Sequence, residues 1–225
     1  MSLTGVPRAQ MITAMGVLCR VMTIAFTVTV ASFAVAAQAR PITVEGLTFS
    51  DELGGFTILA AWGTGTKADP IVVVEEITGP TAAILVIRGM TPEFGNRAGT
   101  LHPNGFILRK IVTNRTRFIW NIVDFELQQI IGVSSDTLDG LSFGQGAQAN
   151  RPFKSNKFAS TSEVEEPLDF VTFHNGALRP GETATFDIVI TDTTPVAIFY
   201  LVQRPNRPMS HLEAPRAAGE GSRLW

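Results

Sequence analysis

The sequence LRPGETATFDIVIT at residues 178–191 decides the fold class of this chain. Apolar side chains recur at every second position from residue 184 to residue 190, and polar side chains occupy most positions between them. A period of two is the spacing of a β-strand that buries one face. Pro180-Gly181 just before the strand predicts a turn, because proline presets its own φ and glycine accepts the positive φ that follows in a type II turn.

Similar alternation, bounded by glycine, proline and asparagine, recurs along the rest of the chain. Many short strands separated by turn signals are typical of an antiparallel sandwich or barrel. We therefore predict an all-β fold, an antiparallel β-sandwich of immunoglobulin-like or jelly-roll-like type. The predicted strands are residues 42–50, 56–62, 71–77, 82–88, 106–113, 117–128, 141–143, 168–174, 183–191 and 196–203.

Three connections between these strands carry predictions of their own. The last two strands are joined by residues 192–195, a length that favours a hairpin. Residues 88–103 are rich in glycine and proline and are predicted to cross between two sheets. Residues 144–167 form a longer segment of small and polar residues, which is typical of a functional or mobile loop.

Residues 1–39 have the pattern of a secretory signal peptide. Arg8 and Arg20 supply positive charge, an apolar run follows, and Ala37-Gln38-Ala39 offers the small-x-small site of signal peptidase. An uncleaved anchor is the alternative, although the run is at the short edge of the about 20 apolar residues that a span takes. We expect a cleaved signal peptide over residues 1–39, one β-sandwich domain over residues 40–203 and a disordered tail over residues 204–225.

The mature chain would then be secreted or periplasmic, with no membrane span. The formal net charge is −2, and removal of Arg8 and Arg20 with the leader makes the remainder −4. A mildly acidic protein has no electrostatic footprint for nucleic acid. The single cysteine, Cys19, lies in the leader, so the mature domain has no disulfide and no cysteine-ligated metal.

A domain without disulfides must be held together by its apolar core. The aromatic candidates for that core are Phe49, Phe56, Trp62, Phe106, Trp120, Phe125, Phe143, Phe170, Phe173, Phe186 and Phe199. The histidines His102, His174 and His211 are spread over predicted turns and the predicted tail. We expect solvated side chains there, and we predict neither a metal site nor a cofactor.

Two motifs resemble those of bacterial exported β-sandwich modules. Residues 112–116, VTNRT, running into Trp120, Phe125 and Leu127, resemble a recurring V-x-N-x-T … W … L strand pair. Residues 178–183, LRPGET, resemble the L-x-P-G-E-T hairpin of the same modules. The first half of the chain is similar to uncharacterised secreted proteins of alphaproteobacterial type. This resemblance implies an immunoglobulin-like fold and brings no catalytic residues with it.

The predicted strand over residues 117–128 carries the candidate site. Alternation places Trp120, Asp124 and Glu126 on one face and Phe125 and Leu127 on the other. Two carboxylates about 7 Å apart beside a tryptophan are features of a sugar-binding or glycosidase face, and an ordinary solvent-exposed face carries the same residues. We name Trp120, Asp124 and Glu126 as the candidate ligand-binding residues and assign no catalytic residue.

The function that these observations predict is that of a secreted, non-catalytic β-sandwich module for binding, adhesion or envelope association. Its ligand would be an extracellular or envelope glycan or protein. One alternative is a carbohydrate-active enzyme on a jelly-roll-like sandwich, with Asp124 and Glu126 as its carboxylates and Trp120 as its sugar platform. The other is a structural component of a larger extracytoplasmic assembly, which would show an unpaired edge strand or an apolar patch.

Overall fold

The computed structural model of the protein describes residues 39–136, 138–144, 153–164 and 169–206. One turn of 3-10 helix, Pro92–Phe94, is present, and no helix in these ranges has the length and apolarity to cross a membrane. The strands are β1 (Ile42–Val44), β2 (Leu47–Ser50), β3 (Phe56–Trp62), β4 (Ile71–Ile77), β5 (Ala83–Arg88), β6 (Asn104–Asn114), β7 (Val123–Gln128), β8 (Leu141–Ser142), β9 (Lys154–Ser155), β10 (Phe158–Val164), β11 (Phe170–Gly176), β12 (Thr183–Asp192) and β13 (Ile198–Pro205).

These strands form two sheets. The seven-stranded sheet has the order β1-β2-β5-β13-β7-β11-β10, and the six-stranded sheet has the order β3-β4-β6-β12-β8 with β9 also paired to β12. Neighbouring strands are antiparallel, except that β4 and β6 run parallel. The prediction of an all-β sandwich is confirmed, and its immunoglobulin-like or jelly-roll-like type stays a prediction.

The apolar core lies between the two sheets. Strand β12 contributes Phe186, Ile188 and Ile190, all fully buried, as its alternation predicts. Strand β7 contributes Phe125 and Leu127 from the opposite sheet, also fully buried. All the aromatic residues predicted for the core are buried except Trp62, which is 49% exposed on the edge strand β3.

A charged pair interrupts this apolar core. Lys110 of β6 and Glu75 of β4 are both fully buried, and Lys110 Nζ donates to Glu75 Oε2 at 2.5 Å. They alternate in register with Leu108 and Val73, which belong to the core, so both side chains project between the sheets. Their burial places a lysine and a glutamate where apolar residues are the rule.

The predicted hairpin between the last two strands is wrong. Strand β12 pairs with β6, β8 and β9 in the six-stranded sheet, whereas β13 pairs with β5 and β7 in the seven-stranded sheet. Both are interior strands with partners on each side, so neither has a free edge for the other. Residues 192–195 therefore lie where the chain crosses from one sheet to the other. Residues 88–103 cross between sheets as predicted, since β5 and β6 lie in different sheets.

Other predicted boundaries also change. Residues 42–50 form two strands joined at Glu45-Gly46, where φ is positive at both residues, 53° and 89°. The predicted loop over residues 144–167 contains β9 and the edge strand β10, whose sequence FASTSEV lacks apolar alternation. Strand β13 runs through Pro205. Residues 1–38 of the predicted signal peptide and residues 207–225 of the predicted tail lie outside the described residues.

Replacement of Phe186 by alanine tests the burial of the core. The Phe186 ring lies 5.3 Å from that of Phe125, 5.0 Å from that of Phe173 and 5.7 Å from that of Phe158, measured between centroids. Truncation of a buried aromatic leaves a cavity, so Phe186→Ala should lower the free energy of unfolding by about 3–5 kcal/mol in chemical denaturation. Trp62→Ala on the exposed edge is the control and should cost far less. Equal losses in the two variants would contradict the assigned core.

Candidate functional site

Trp120 lies in the core between the sheets, within the connection from β6 to β7. Its indole N–H donates to Thr116 Oγ1 at 3.0 Å, and its backbone pairs with that of Leu178. The side-chain amide of Asn114 donates to the carbonyls of Phe118 and Leu178. The VTNRT … W motif therefore builds a hydrogen-bonded corner that joins the β6–β7 connection to the β11–β12 connection.

Asp124 and Glu126 project from the opposite face of β7, the outer face of the seven-stranded sheet. The residues between and beyond them, Phe125 and Leu127, face the core. Asp124 is 0% exposed and Glu126 is 1% exposed. Thr172 of the neighbouring strand β11 donates its hydroxyl to Asp124 Oδ1 at 2.6 Å.

The structure thus corrects the expectation of an exposed face made of Trp120, Asp124 and Glu126. Trp120 lies on the other side of the sheet from the two carboxylates, because β7 begins only at Val123 and the alternation does not extend back to Trp120. All three side chains are buried. A role in ligand binding for these residues stays a prediction. The exposed surface on which it was based is absent, because all three side chains are buried.

Glu126 is the centre of a polar network on this outer face. Its Oε1 accepts hydrogen bonds from Ser134 Oγ and from Gln128 Nε2, the latter at 2.9 Å. Its Oε2 forms an ion pair with Arg204 of β13. Gln128 continues the network, because its Oε1 accepts a hydrogen bond from the backbone N–H of Gly132 at 2.7 Å.

These bonds fix the turn Ile130-Ile131-Gly132-Val133, which we call the apolar turn. The N–H of Val133 donates to the carbonyl of Ile130 at 2.9 Å, and the N–H of Ser135 donates to the carbonyl of Leu127 at 3.0 Å. The amide of Gln129 reaches the carbonyl of Asp139 at 2.6 Å, so the two ends of the β7–β8 connection are tied together. The connection is held in place by side chains of the sheet beneath it.

The side chains of the apolar turn are exposed. Ile130 is 66% exposed, Ile131 47% and Val133 56%, and Leu138 on the same connection is 91% exposed. Scattered apolar residues are normal on a protein surface. Adjacent ones on a short connection whose backbone is held by hydrogen bonds form an exposed apolar patch, the usual mark of an interaction site. We take the apolar turn as the candidate functional site.

The two carboxylates that line the groove beside β3 are engaged in structure. A groove of about 650 Å³ lies between the β2–β3 connection and β3, and Asp51 and Glu52 line it. Asp51 accepts the backbone N–H of Ile58 at 3.0 Å, and Glu52 pairs with Arg88 at 2.5 Å. Hydrogen bonds from Arg88 and Ser50 lower the pKa of Glu52, the opposite of what a general acid requires.

The pKa of one other carboxyl group, that of Asp192, is raised instead of lowered. Burial raises the pKa of Asp192 to about 6, and the nearby Asp139 adds to the effect. The Asp192 carboxylate accepts the N–H of Thr194 at 2.8 Å. His102, whose pKa is lowered by burial, bonds Thr191 and not Asp192. Among the residues that the structure describes, no three histidine, cysteine or acidic side chains are grouped as metal ligands would be.

No family model, curated protein or solved structure matches the chain.

The sequence pattern does not predict a site at the apolar turn, because the alternation over residues 117–128 points to the carboxylates of that predicted strand. A signal was available. Ile130 and Ile131 are adjacent, so strand alternation cannot bury both, and Gly132 follows them. Two adjacent isoleucines before a glycine, directly after a strand, indicate an apolar turn that the core does not absorb.

Removal of Glu126 tests the polar network. Glu126→Ala would leave Arg204, which is 17% exposed, without its carboxylate, and breaking such a pair should cost about 3 kcal/mol in the free energy of unfolding. Asp69 is exposed, and removal of an exposed carboxylate changes the free energy of unfolding by about 0.5 kcal/mol or less. Asp69→Ala is therefore the control. Urea denaturation at pH 7 measures both variants. A Glu126→Ala midpoint equal to that of wild type would mean that Glu126 is not a structural partner.

Proposed function

We propose that this protein is an exported, non-catalytic β-sandwich module that binds a protein partner through the apolar turn. The observation that carries the proposal is the exposure of Ile130, Ile131 and Val133 on a turn whose backbone is fixed by Gln128 and by its own hydrogen bonds. Surface groups of this kind supply binding energy when a partner buries them.

The chemistry of the β7–β8 connection favours a protein over the other ligand classes. Residues 129–140 contain no lysine or arginine and carry Asp136 and Asp139, so an anionic membrane surface would repel them. The same residues contain no aromatic side chain of the kind that offers an amphipathic platform, which disfavours a glycan. A protein with an apolar pocket and basic residues around it is the complementary surface.

Preorganisation supports the same proposal. Binding by a flexible loop costs the entropy of ordering that loop. Here Gly132 and Val133 are already held by hydrogen bonds at 2.7 Å and 2.9 Å, so less of the turn remains to be ordered when a partner binds. The buried carboxylate Glu126 and the amide of Gln128 act as positioning residues for the contact surface.

The two alternatives differ in what they require. A carbohydrate-active enzyme needs accessible carboxylates that converge in a cleft, and Asp124 and Glu126 are buried. A structural component of a larger assembly would use an apolar patch as well. In that case the partner of the apolar turn could be a second copy of this chain.

The double variant Ile130→Ser/Ile131→Ser tests the proposal. Both side chains are exposed, so the variant should keep the denaturation midpoint of wild type. A fully exposed isoleucine that becomes buried is worth about 1.5–3 kcal/mol, and about half of each side chain is exposed here, so loss of both should weaken partner binding by at least about tenfold. The matched control is Leu101→Ser, an 80% exposed leucine on the β5–β6 connection. The measurement is affinity capture from envelope extract, followed by titration of the identified partner.

Each outcome has a defined meaning. Retained affinity in the double variant, or an equal loss in Leu101→Ser, would exclude the apolar turn as the contact. Concentration-dependent dimers of purified wild-type protein that the double variant abolishes would favour the structural assembly. Hydrolysis of a polysaccharide by wild-type protein would favour the enzyme.

A further inference from the structure

The charged pair in the core has a third polar neighbour from the facing sheet. Gln203 of β13 alternates with Leu201 and Phe199, all fully buried, and the latter two belong to the core between the sheets. The Gln203 amide lies against the carboxyl of Glu75 and favours its charged form. Glu75 is therefore in contact with Lys110 of its own sheet and with Gln203 of the opposite one.

The arrangement is costly as a set of noncovalent contacts. Neither polar atom of the Gln203 amide makes a hydrogen bond of ordinary geometry, and Glu75 Oε1 makes none either. A buried amide without hydrogen bonds costs about 1–3 kcal/mol. Such groups are rare in native proteins and call for an explanation. A buried amine and a buried carboxamide that both lie against one carboxyl group, away from water, offer a chemical explanation.

Burial also sets the protonation state that the chemistry needs. Desolvation lowers the pKa of the Lys110 amine and raises the pKa of the Glu75 carboxyl. Both shifts favour the neutral amine and the neutral acid over the ion pair. A neutral amine is a nucleophile, and a neutral acid can donate a hydrogen bond to a carbonyl oxygen. The amine lies over the ring of Phe56, with Nζ 5.9 Å from the ring centroid.

We infer that Lys110 and Gln203 form an intramolecular isopeptide bond that joins the two sheets, with Glu75 as the catalytic acid and base. The Nζ atom of Lys110 attacks the side-chain carbonyl carbon of Gln203, and the Glu75 carboxyl stabilises the developing oxyanion. Glu75 then carries a proton from Nζ to the departing Nε2. The C–Nζ bond forms, the C–Nε2 bond breaks and one molecule of ammonia leaves, so atoms and charge balance without an oxidant or a second substrate.

The site protects its product. Lys110, Glu75 and Gln203 are all 0% exposed, so water cannot reach the new amide to hydrolyse it. The bond would connect β6 to β13 and close a chain segment of more than ninety residues. Like a disulfide, such a cross-link restricts the unfolded chain, and the described part of the protein contains no cysteine.

Intact-mass analysis of the purified full-length chain tests the inference, with the first residue of the chain identified by sequencing its N-terminus. The expected mass is that of the sequence less one ammonia. Proteolytic mapping should give one branched peptide that joins Lys110 to Gln203, and trypsin should not cut after Lys110 in the folded or unfolded protein. Glu75→Gln and Lys110→Arg should restore the full mass. Lys157→Arg, a lysine paired with Glu182 on the surface, is the matched control and should keep the loss.

The wild-type measurement decides the inference even if a variant fails to fold. A wild-type mass equal to the sum of its residues, with normal cleavage after Lys110, would overturn it. Loss of one water instead of one ammonia, with a branch from Lys110 to Glu75, would overturn the assignment of Gln203. A branch to Gln203 that survives in Glu75→Gln would overturn the catalytic role of Glu75.

Discussion

The ion pair between Glu126 and Arg204 connects the fold of this protein to its proposed function. It ties β7 to β13 on the outer face of the seven-stranded sheet, and it holds Glu126 where Ser134 and Gln128 can bond to it. Because a buried carboxylate must keep its partners, the connection that supplies Ser134 cannot move freely. The exposed apolar turn is the surface consequence of this buried network.

The inner face of the same sheet carries a second set of buried polar residues. Gln203 on β13 lies against Glu75 of the six-stranded sheet, which in turn pairs with Lys110, so polar groups contact one another across the apolar core. Buried polar contacts of this kind contribute little net stability and in some proteins specify how elements pair. In this sandwich the polar contact places Gln203 of β13 against Glu75 of β4. That arrangement suits a domain that must hold two sheets together without disulfides.

The sequence predicted the sandwich and most strand positions, because alternation and turn residues are local signals. The core position of Phe186 follows directly from them. Strand pairing could not be predicted in the same way. The short connection before β13 is typical of a hairpin, and only the strand partners of β12 show that the chain changes sheets there. The exposure of the candidate site was predicted wrongly because it was inferred from polarity. Glu126 is polar and buried, whereas Ile131 is apolar and exposed. Which of the two side chains is exposed depends on how the β7–β8 connection packs, which the sequence pattern does not show.

Hydrogen exchange at the apolar turn, measured residue by residue by NMR, tests whether the buried network around Glu126 and Gln128 holds this turn. The N–H groups of Gly132 and Val133 are bonded to Gln128 Oε1 and to the Ile130 carbonyl, although their residues are exposed. Both amides should exchange much more slowly than in an unstructured peptide. Gln128→Leu should remove the protection of Gly132 while leaving the sheet amides protected. Exchange of Gly132 in wild-type protein at the unstructured rate would show that the turn is not held by the buried network, and the account would be wrong.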